Sequence, residues 1–337
     1  MRDLILAVDS GATRTTCAIS DENGEILGIG ITGSSSHYAV SVKQAQENLR
    51  SAMEKAAVSA NLNATVNVFD IGCFGLTALD SKHDYQLNKN FIDSLGIIKR
   101  PIIVSDAVTA YYAVTSGKPG IVVIAGTGSV AFGINAKGES AQSGGKEWLI
   151  SDEGSAYHIA VEGLKCALRA YDRRGEKTVL KAMLMKHFNI STFEDIVEEI
   201  YRNTDKSRIS SLAPIVTAAA GRGDIVALRI LREAGRELGL AAVAVARKLN
   251  IENERPIVGE VGGVFKAGEF ILKSFRATVK KGIPRSILKP PIFNAVRGAV
   301  ILGIKECGLP LTDQLVNRIE RGLENLNSLD RFDRSLP

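Results

Sequence analysis

Two short loops rich in glycine and hydroxyl side chains lie more than a hundred residues apart in this chain, and each opens a similar segment. The first is Asp9-Ser10-Gly11-Ala12-Thr13-Arg14-Thr15, after the apolar run Leu4 to Val8. The second is Ala125-Gly126-Thr127-Gly128-Ser129, after Ile121 to Ile124. A second apolar run follows each loop, and then a glycine turn, Asn23-Gly24 or Lys137-Gly138. Both segments therefore read strand, loop, strand, turn, strand. Glycine lets backbone N–H groups approach oxygens, and hydroxyls add donors, so such loops suit phosphate. Two of them in duplicated settings imply a cleft that holds one polyphosphate from both sides, which points to ATP and phosphoryl transfer.

The spacing of the remaining elements agrees with a duplicated α/β protein. Strands are expected at 4–8, 16–20 and 26–31, with Asn23-Gly24 as a hairpin signal. Val42, Ala45, Leu49, Ala52, Met53 and Ala56 repeat at helical spacing, giving a helix over 41–60. Val66 to Ile71 and Pro101 to Val104 read as strands, followed by a helix from Ala107 to Val114. Ser116-Gly117-Lys118-Pro119-Gly120 is a turn-rich joint, and a length of 337 residues allows two cores. The second half restarts at Ile121 with three strands, then a long helix from near Asp152. A mostly helical stretch spans 176–220, and Asp224 caps a further helix. Pro256 to Val261 is a strand, Gly262-Gly263 opens the next helix, and a last helix covers Asn294 to Cys307. The expected division is 1–116, joined by the C-terminal helical segment 291–337, and 117–290.

Composition excludes several classes. Net charge is +5, with Lys and Arg scattered and no interleaving of basic and aromatic residues, so a nucleic-acid partner is not expected. The four cysteines, Cys17, Cys73, Cys166 and Cys307, have no metal-site spacing. The longest apolar stretch, Leu238 to Ala246, is too short to span a bilayer. With no secretory signal at the first residues, a cytoplasmic protein without a membrane partner is expected.

Ligands in such sheets sit beyond strand ends. Asp9 ends a strand before a Gly/Thr loop. It either orients Mg²⁺ beside a bound phosphate or shapes the turn, and the loop after it favours the first. Gly11, Thr13 and Thr15 offer phosphate donors. Asp106 ends the fifth strand and is either a general base for an attacking hydroxyl or the cap of the following helix. Gly126, Thr127 and Gly128 are a phosphate loop or a plain hairpin turn. Asp152 accepts hydrogen bonds from a polyol, or belongs to a capping cluster. Gly145 marks close backbone approach. Gly262 and Gly263 admit a flat ligand such as adenine, or pack a helix on a strand.

Taken in order, Asp9 to Thr15, Ser105-Asp106-Ala107, Ile124 to Ser129, Gly144-Gly145 with Asp152 to Ala156, and Gly262-Gly263-Val264 resemble N-acetylglucosamine kinases and the archaeal ATP-dependent hexokinases. These belong to the BadF/BadG/BcrA/BcrD group of the actin–hexokinase–heat-shock-chaperone superfamily. The resemblance runs from about residue 3 to 307. It implies two ribonuclease-H-like domains with a nucleotide and sugar cleft between them, ATP and Mg²⁺ as cofactors, and a sugar substrate phosphorylated on its 6-hydroxyl. Asp9 and the loops at Thr13 and Thr127 would hold Mg·ATP, with Gly262 and Gly263 near adenosine. Asp106 would be the base, and Ser36, Thr77, Asp106, Thr127, Gly145 and Asp152 would surround the sugar. A homodimer is implied by the resemblance alone.

Departures bear on the choice among N-acetylglucosamine, glucosamine and glucose. Ser36 stands where the family brings an asparagine to the sugar, and Glu147 replaces a glycine. Glu260 is also unusual in an apolar strand end. Two other activities share the nucleotide cleft. An activating ATPase of a radical dehydratase or reductase needs cysteines in a glycine-rich setting, which this chain lacks. A non-enzymatic sugar or nucleotide sensor has no need of Asp106.

Overall fold

The computed structural model describes every residue except 1–2, 12, 63–68, 78, 80, 147, 203, 293 and 334–337, and describes no side chain in 326–333. Ala12 and Glu147 thus lie outside the described residues, as does the start of the strand expected from Val66. The chain forms two compact units, Met1–Lys118 with Asn294–Pro337, and Pro119–Phe293.

The first unit begins β1 (Leu4–Ser10), β2 (Thr15–Asp21), β3 (Ile26–Thr32), α1 (Val42–Ser59) and β4 (Phe69–Leu76). It continues with α2 (Lys82–Ser94), β5 (Ile98–Ser105) and α3 (Asp106–Thr115). The second unit holds β6 (Gly120–Ala125), β7 (Ser129–Ile134), β8 (Ser140–Gly144), α4 (Ala156–Tyr171), α5 (Leu180–Phe188) and α6 (Ile196–Tyr201). There follow α7 (Lys206–Ser210), α8 (Ala213–Gly221), α9 (Ile225–Lys248), β9 (Ile257–Val261), α10 (Glu269–Gly282) and β10 (Ile287–Leu288). The chain then returns to the first unit with α11 (Val296–Glu306) and α12 (Asp313–Asp333).

The duplication is visible in the sheets. The first has the order β3-β2-β1-β4-β5 and the second β10-β9-β6-β7-β8. In each, the first three strands are antiparallel neighbours and the later two join parallel. This is the repeated ribonuclease-H-like arrangement. Even the turn chemistry repeats. Asp21 Oδ1 accepts from the N–H groups of Asn23 and Glu25 at 2.9 Å, with Gly24 at φ 77°. Asn135 Oδ1 accepts from Lys137 and Glu139 at 3.0 Å, with Gly138 at φ 81°. A side-chain oxygen that caps its own turn fixes the hairpin, and glycine supplies the left-handed residue.

Each sheet buries its own core. In the first unit Leu6, Val8, Ile19 and Phe74 pack with Leu49 and Met53 of α1. In the second, Ile121 and Val123 pack with the apolar stripe of α9, including Leu231, Leu238 and Val245. α11 presses on α3 so closely that a Cβ at Gly298 would lie 1.7 Å from the Thr109 carbonyl oxygen. Pro101 is tolerated because β5 is an edge strand, where a missing N–H costs no ladder bond.

Two elements depart from the expected bounds. β4 does not stop in the run Gly72-Cys73-Phe74-Gly75 where its end is expected but continues through it to Leu76, because parallel partners on both sides hold it. The helix expected from near Asp152 starts at Ala156, capped by Ser155, whose hydroxyl accepts from His158 N at 3.1 Å. Asp152 has φ 71° and Gly154 φ 80°, so the intervening turn is left-handed and cannot be helical.

Candidate active site

In the first unit the parallel strands β1, β4 and β5 end in register, with Ser10 beside Leu76 and Leu76 beside Ser105. Ligand-contacting groups gather at such carboxyl ends. Asp9 is the penultimate residue of β1 and is partly buried. Asp106 is the first residue of α3, directly after β5. The helix cap is Ser105, so Asp106 does not take the capping position that its sequence context allows. Burial pushes the Asp9 carboxyl up to about 7, the nearby Asp106 charge adds to the rise, and Arg14 opposes it. Two carboxylates close enough to repel are a poor arrangement alone and a good one for a cation or a transferred proton.

The loop after β1 is pinched by Gly11 N donating to Arg14 O at 2.8 Å. Thr13 and Arg14 are exposed on it. Thr15 is different. It is fully buried, and its hydroxyl donates to Ser35 Oγ at 2.8 Å. Ser35 Oγ donates onward to Ser10 Oγ at 2.7 Å, and Ser34 Oγ to Gly11 O at 3.0 Å. The Thr15 hydroxyl proton therefore serves the scaffold of the loop. Ser36, buried, follows in this serine run, and Thr77 N donates to Ser10 O at 3.1 Å. The first unit thus gathers Asp9, Gly11, Thr77 and Asp106 around the ends of its parallel strands.

In the second unit Gly126 N donates to Gly128 O at 2.9 Å, repeating the pinched loop. Ala156 N donates to Gly126 O at 2.9 Å, which fastens the loop to the start of α4. Asp152 supports the same loop from below. Its Oδ1 accepts from Ser129 N at 3.1 Å, and Lys206 Nζ lies 2.9 Å from Oδ2. A Cβ at Gly128 would lie 2.7 Å from that carboxylate, so glycine is required there. Asp152 is only 3 % exposed, and an ion pair this buried depends on both partners. Gly144 and Gly145 both have positive φ. Gly262 has φ 117°, and a Cβ there would lie 2.4 Å from Ala125 O. Gly263 opens a 3₁₀ helix to Ala267 before α10, not α10 itself.

Motif reading alone does not bring Lys206 or Asp84 forward. Lys206 carries no local signal, since its partner is far away in the chain. Asp84 does: Ser81-x-x-Asp84 is a capping-box spacing, and both bonds of that box are present.

No three His, Cys, Asp or Glu side chains group to hold a metal ion among the described residues. A cation held by Asp9 would have to complete its shell with water and phosphate oxygens. That is how Mg²⁺ binds at phosphoryl-transfer sites, through one or two carboxylates, so the donor set fits it. No described helix is long and apolar enough to cross a membrane.

Comparison with known proteins agrees with this architecture. The chain is 31% identical over 304 residues to an N-acetylmuramic acid/N-acetylglucosamine kinase of Clostridium acetobutylicum, covering 90% of this chain and 99% of that one. It is 29% identical over 279 residues to an N-acetyl-D-glucosamine kinase of Dictyostelium discoideum, covering 79% and 87%. A solved structure of a candidate N-acetylglucosamine kinase from Chromobacterium violaceum superposes with TM-score 0.74 at 24% identity, over 89% of this chain and 98% of that one, and shows the shared fold. The sequence profile of the BadF/BadG/BcrA/BcrD ATPase family matches residues 6–303, and the chain belongs to that family.

Proposed function

We propose that this chain transfers the terminal phosphoryl group of ATP to the 6-hydroxyl of an aminosugar or hexose, with N-acetylglucosamine the first candidate. The protein is an enzyme, an ATP-dependent sugar kinase. The observation that carries the finer reading is the coupling of Asp9 and Asp106 at the ends of β1 and β5. The relatives named for N-acetylglucosamine support the choice of sugar.

Asp106 accepts the proton of the sugar hydroxyl as that oxygen bonds to phosphorus, and ADP leaves. Asp9 holds Mg²⁺, which when bound neutralises charge on the phosphates. In the first unit Gly11 and Thr13 present donors to phosphate, Thr15 keeps their loop in shape, and Ser36 and Thr77 contact the sugar. In the second unit Gly126, Thr127 and Gly128 form the other phosphate loop, Asp152 and Lys206 brace it, Gly145 approaches the sugar, and Gly262 with Gly263 receives adenosine. Asp152 thus acts first on the loop and only secondarily on the sugar.

An activating ATPase of a radical enzyme would place cysteines on glycine-rich loops. Here Cys17 and Cys73 are buried within strands, Cys166 lies on α4 and Cys307 ends α11.

The test is Asp106→Ala. ATP binding stays, and sugar-dependent turnover falls by roughly 10²- to 10⁴-fold, the usual contribution of a general base. Near-normal turnover would remove Asp106 from the role.

A further inference from the structure

Asp84 gathers more hydrogen bonds than helix capping requires. It is the third residue of α2 and 2 % exposed. Its Oδ2 accepts from Ser81 N at 2.9 Å, while Asp84 N donates to Ser81 Oγ at 3.1 Å, which completes the capping box, and Ser81 Oγ also donates to Oδ2 at 2.6 Å. Two further bonds come from a different part of the chain. Tyr38 OH donates to Oδ2 at 3.0 Å, and His37 Nε2 lies 3.0 Å from Oδ1. The rings of His37 and Tyr38 pack against each other, tilted by 46° with centroids 4.5 Å apart. Tyr38 is 61 % exposed, yet its hydroxyl reaches a buried carboxylate.

These two residues directly follow Ser36 in the loop from β3 to α1. The loop is therefore fastened at both ends. On its N-terminal side Ser34 and Ser35 bond to Gly11 and Ser10, next to Asp9. On its C-terminal side His37 and Tyr38 bond to Asp84. Ser36 sits between the two attachments, with its N–H donating to Ser34 Oγ at 3.1 Å and its carbonyl accepting from Ala39 and Val40. The same carboxylate fixes Ser81, the cap of α2.

Burial alone pushes the Asp84 carboxyl up, but the hydrogen bonds from Ser81, His37 and Tyr38 outweigh it and hold the group at about 2. Asp84 stays an ionised acceptor throughout the neutral range, and bonds to a charged acceptor are the stronger kind.

We propose that Asp84 is a positioning residue for the sugar, fixing the loop that carries Ser36 to the start of α2 and so holding Ser36 in place. The inference rests on the reading of Ser36 as a sugar contact. A loop held at both ends loses little freedom when substrate arrives, so binding is tighter than to a loop that must be ordered.

Tyr38→Phe and His37→Ala each remove one loop attachment and leave the Ser81–Asp84 capping box whole. Steady-state kinetics with N-acetylglucosamine and Mg·ATP are measured for both, with Ser36→Ala alongside, and melting temperatures are recorded. The expected result is a KM for N-acetylglucosamine raised roughly tenfold, the scale of one hydrogen bond to a charged group. In both loop variants kcat and the KM for ATP stay within about twofold of wild type, while the melting temperature falls by a few degrees as one bond to a charged group is lost. If Ser36→Ala raises the sugar KM and the loop variants do not, Asp84 has no positioning role. A lowered melting temperature with an unchanged sugar KM also rules that role out, since the bonds then only stabilise the fold. If none of the three variants moves the sugar KM, Ser36 is not a sugar contact, and both the reading beneath and the inference fail.

Discussion

Replacing Glu260 by glutamine tests how this chain tolerates a buried carboxylate. Glu260 lies on β9 opposite Val123 of β6 and is 0 % exposed. Neither carboxylate oxygen has a hydrogen-bond partner among the described residues. Arg276 Nε on α10 lies 3.9 Å away, and that guanidinium also pairs with Glu269 at 3.2 Å. Burial pushes the Glu260 carboxyl up to about 7, with Arg276 pulling the other way. The unfolded chain releases the same proton near 4.5. Below that value both states are protonated and the group is neutral for stability. As pH rises the unfolded state ionises first, so stability falls until pH passes about 7, where the loss levels off. At about 1.4 kcal/mol per unit, the full loss is of order 3 kcal/mol. Glutamine cannot ionise and keeps the shape, so Glu260→Gln removes this dependence. The assay is urea unfolding at pH 5 and pH 8, followed by fluorescence of Trp148, the single tryptophan, which lies in the same unit as Glu260. Wild type should lose about 2–3 kcal/mol more than the variant between the two pH values. Equal losses in both proteins, or a variant clearly less stable than wild type at pH 8, would mean that Glu260 is ionised and well paired instead.

Other changes have equally direct outcomes. Gly298→Ala drives a methyl group into the Thr109 carbonyl where α11 crosses α3, and should destabilise the first unit by several kcal/mol, read as a lower melting midpoint. Gly262→Ala forces φ 117° on a residue with a Cβ 2.4 Å from Ala125 O. It should weaken ATP binding in calorimetry more than it weakens sugar binding. Lys206→Met leaves Asp152 a buried charge without its ion pair. A cost of about 3–5 kcal/mol is expected for breaking such a pair, seen as lower melting and a higher KM for ATP.

Much of the architecture is legible in the sequence because it rests on short-range signals. Asn23-Gly24 and the alternation around it mark β2 and β3, and the spacing from Ala45 to Ala56 marks α1. The repetition of strand, loop and turn announces the second sheet. What escapes depends on partners distant in sequence. Nothing near Gly72 says that β4 continues through it, since the continuation comes from β1 and β5 on either side. Gly154 is a local sign of the left-handed turn, but nothing near Asp152 shows that its carboxylate reaches Ser129 and Lys206. The same distinction holds at the candidate site. Asp9 and Asp106 are visible as acids at strand ends, whereas the burial of the Thr15 hydroxyl in a serine network is set by a loop twenty residues on. Asp84 is half legible: its spacing from Ser81 gives the cap, but not the bonds from His37 and Tyr38.

Whether this chain phosphorylates sugar through Asp106 is decided by a coupled ADP-release assay. Wild type and Asp106→Ala are given Mg·ATP with N-acetylglucosamine, glucosamine, glucose, mannose and N-acetylmannosamine in turn. ADP release is expected to require sugar, to be fastest with N-acetylglucosamine, to yield the 6-phosphate, and to be largely lost in the variant. Release that no sugar stimulates, or that survives in the variant, would contradict sugar phosphorylation through Asp106.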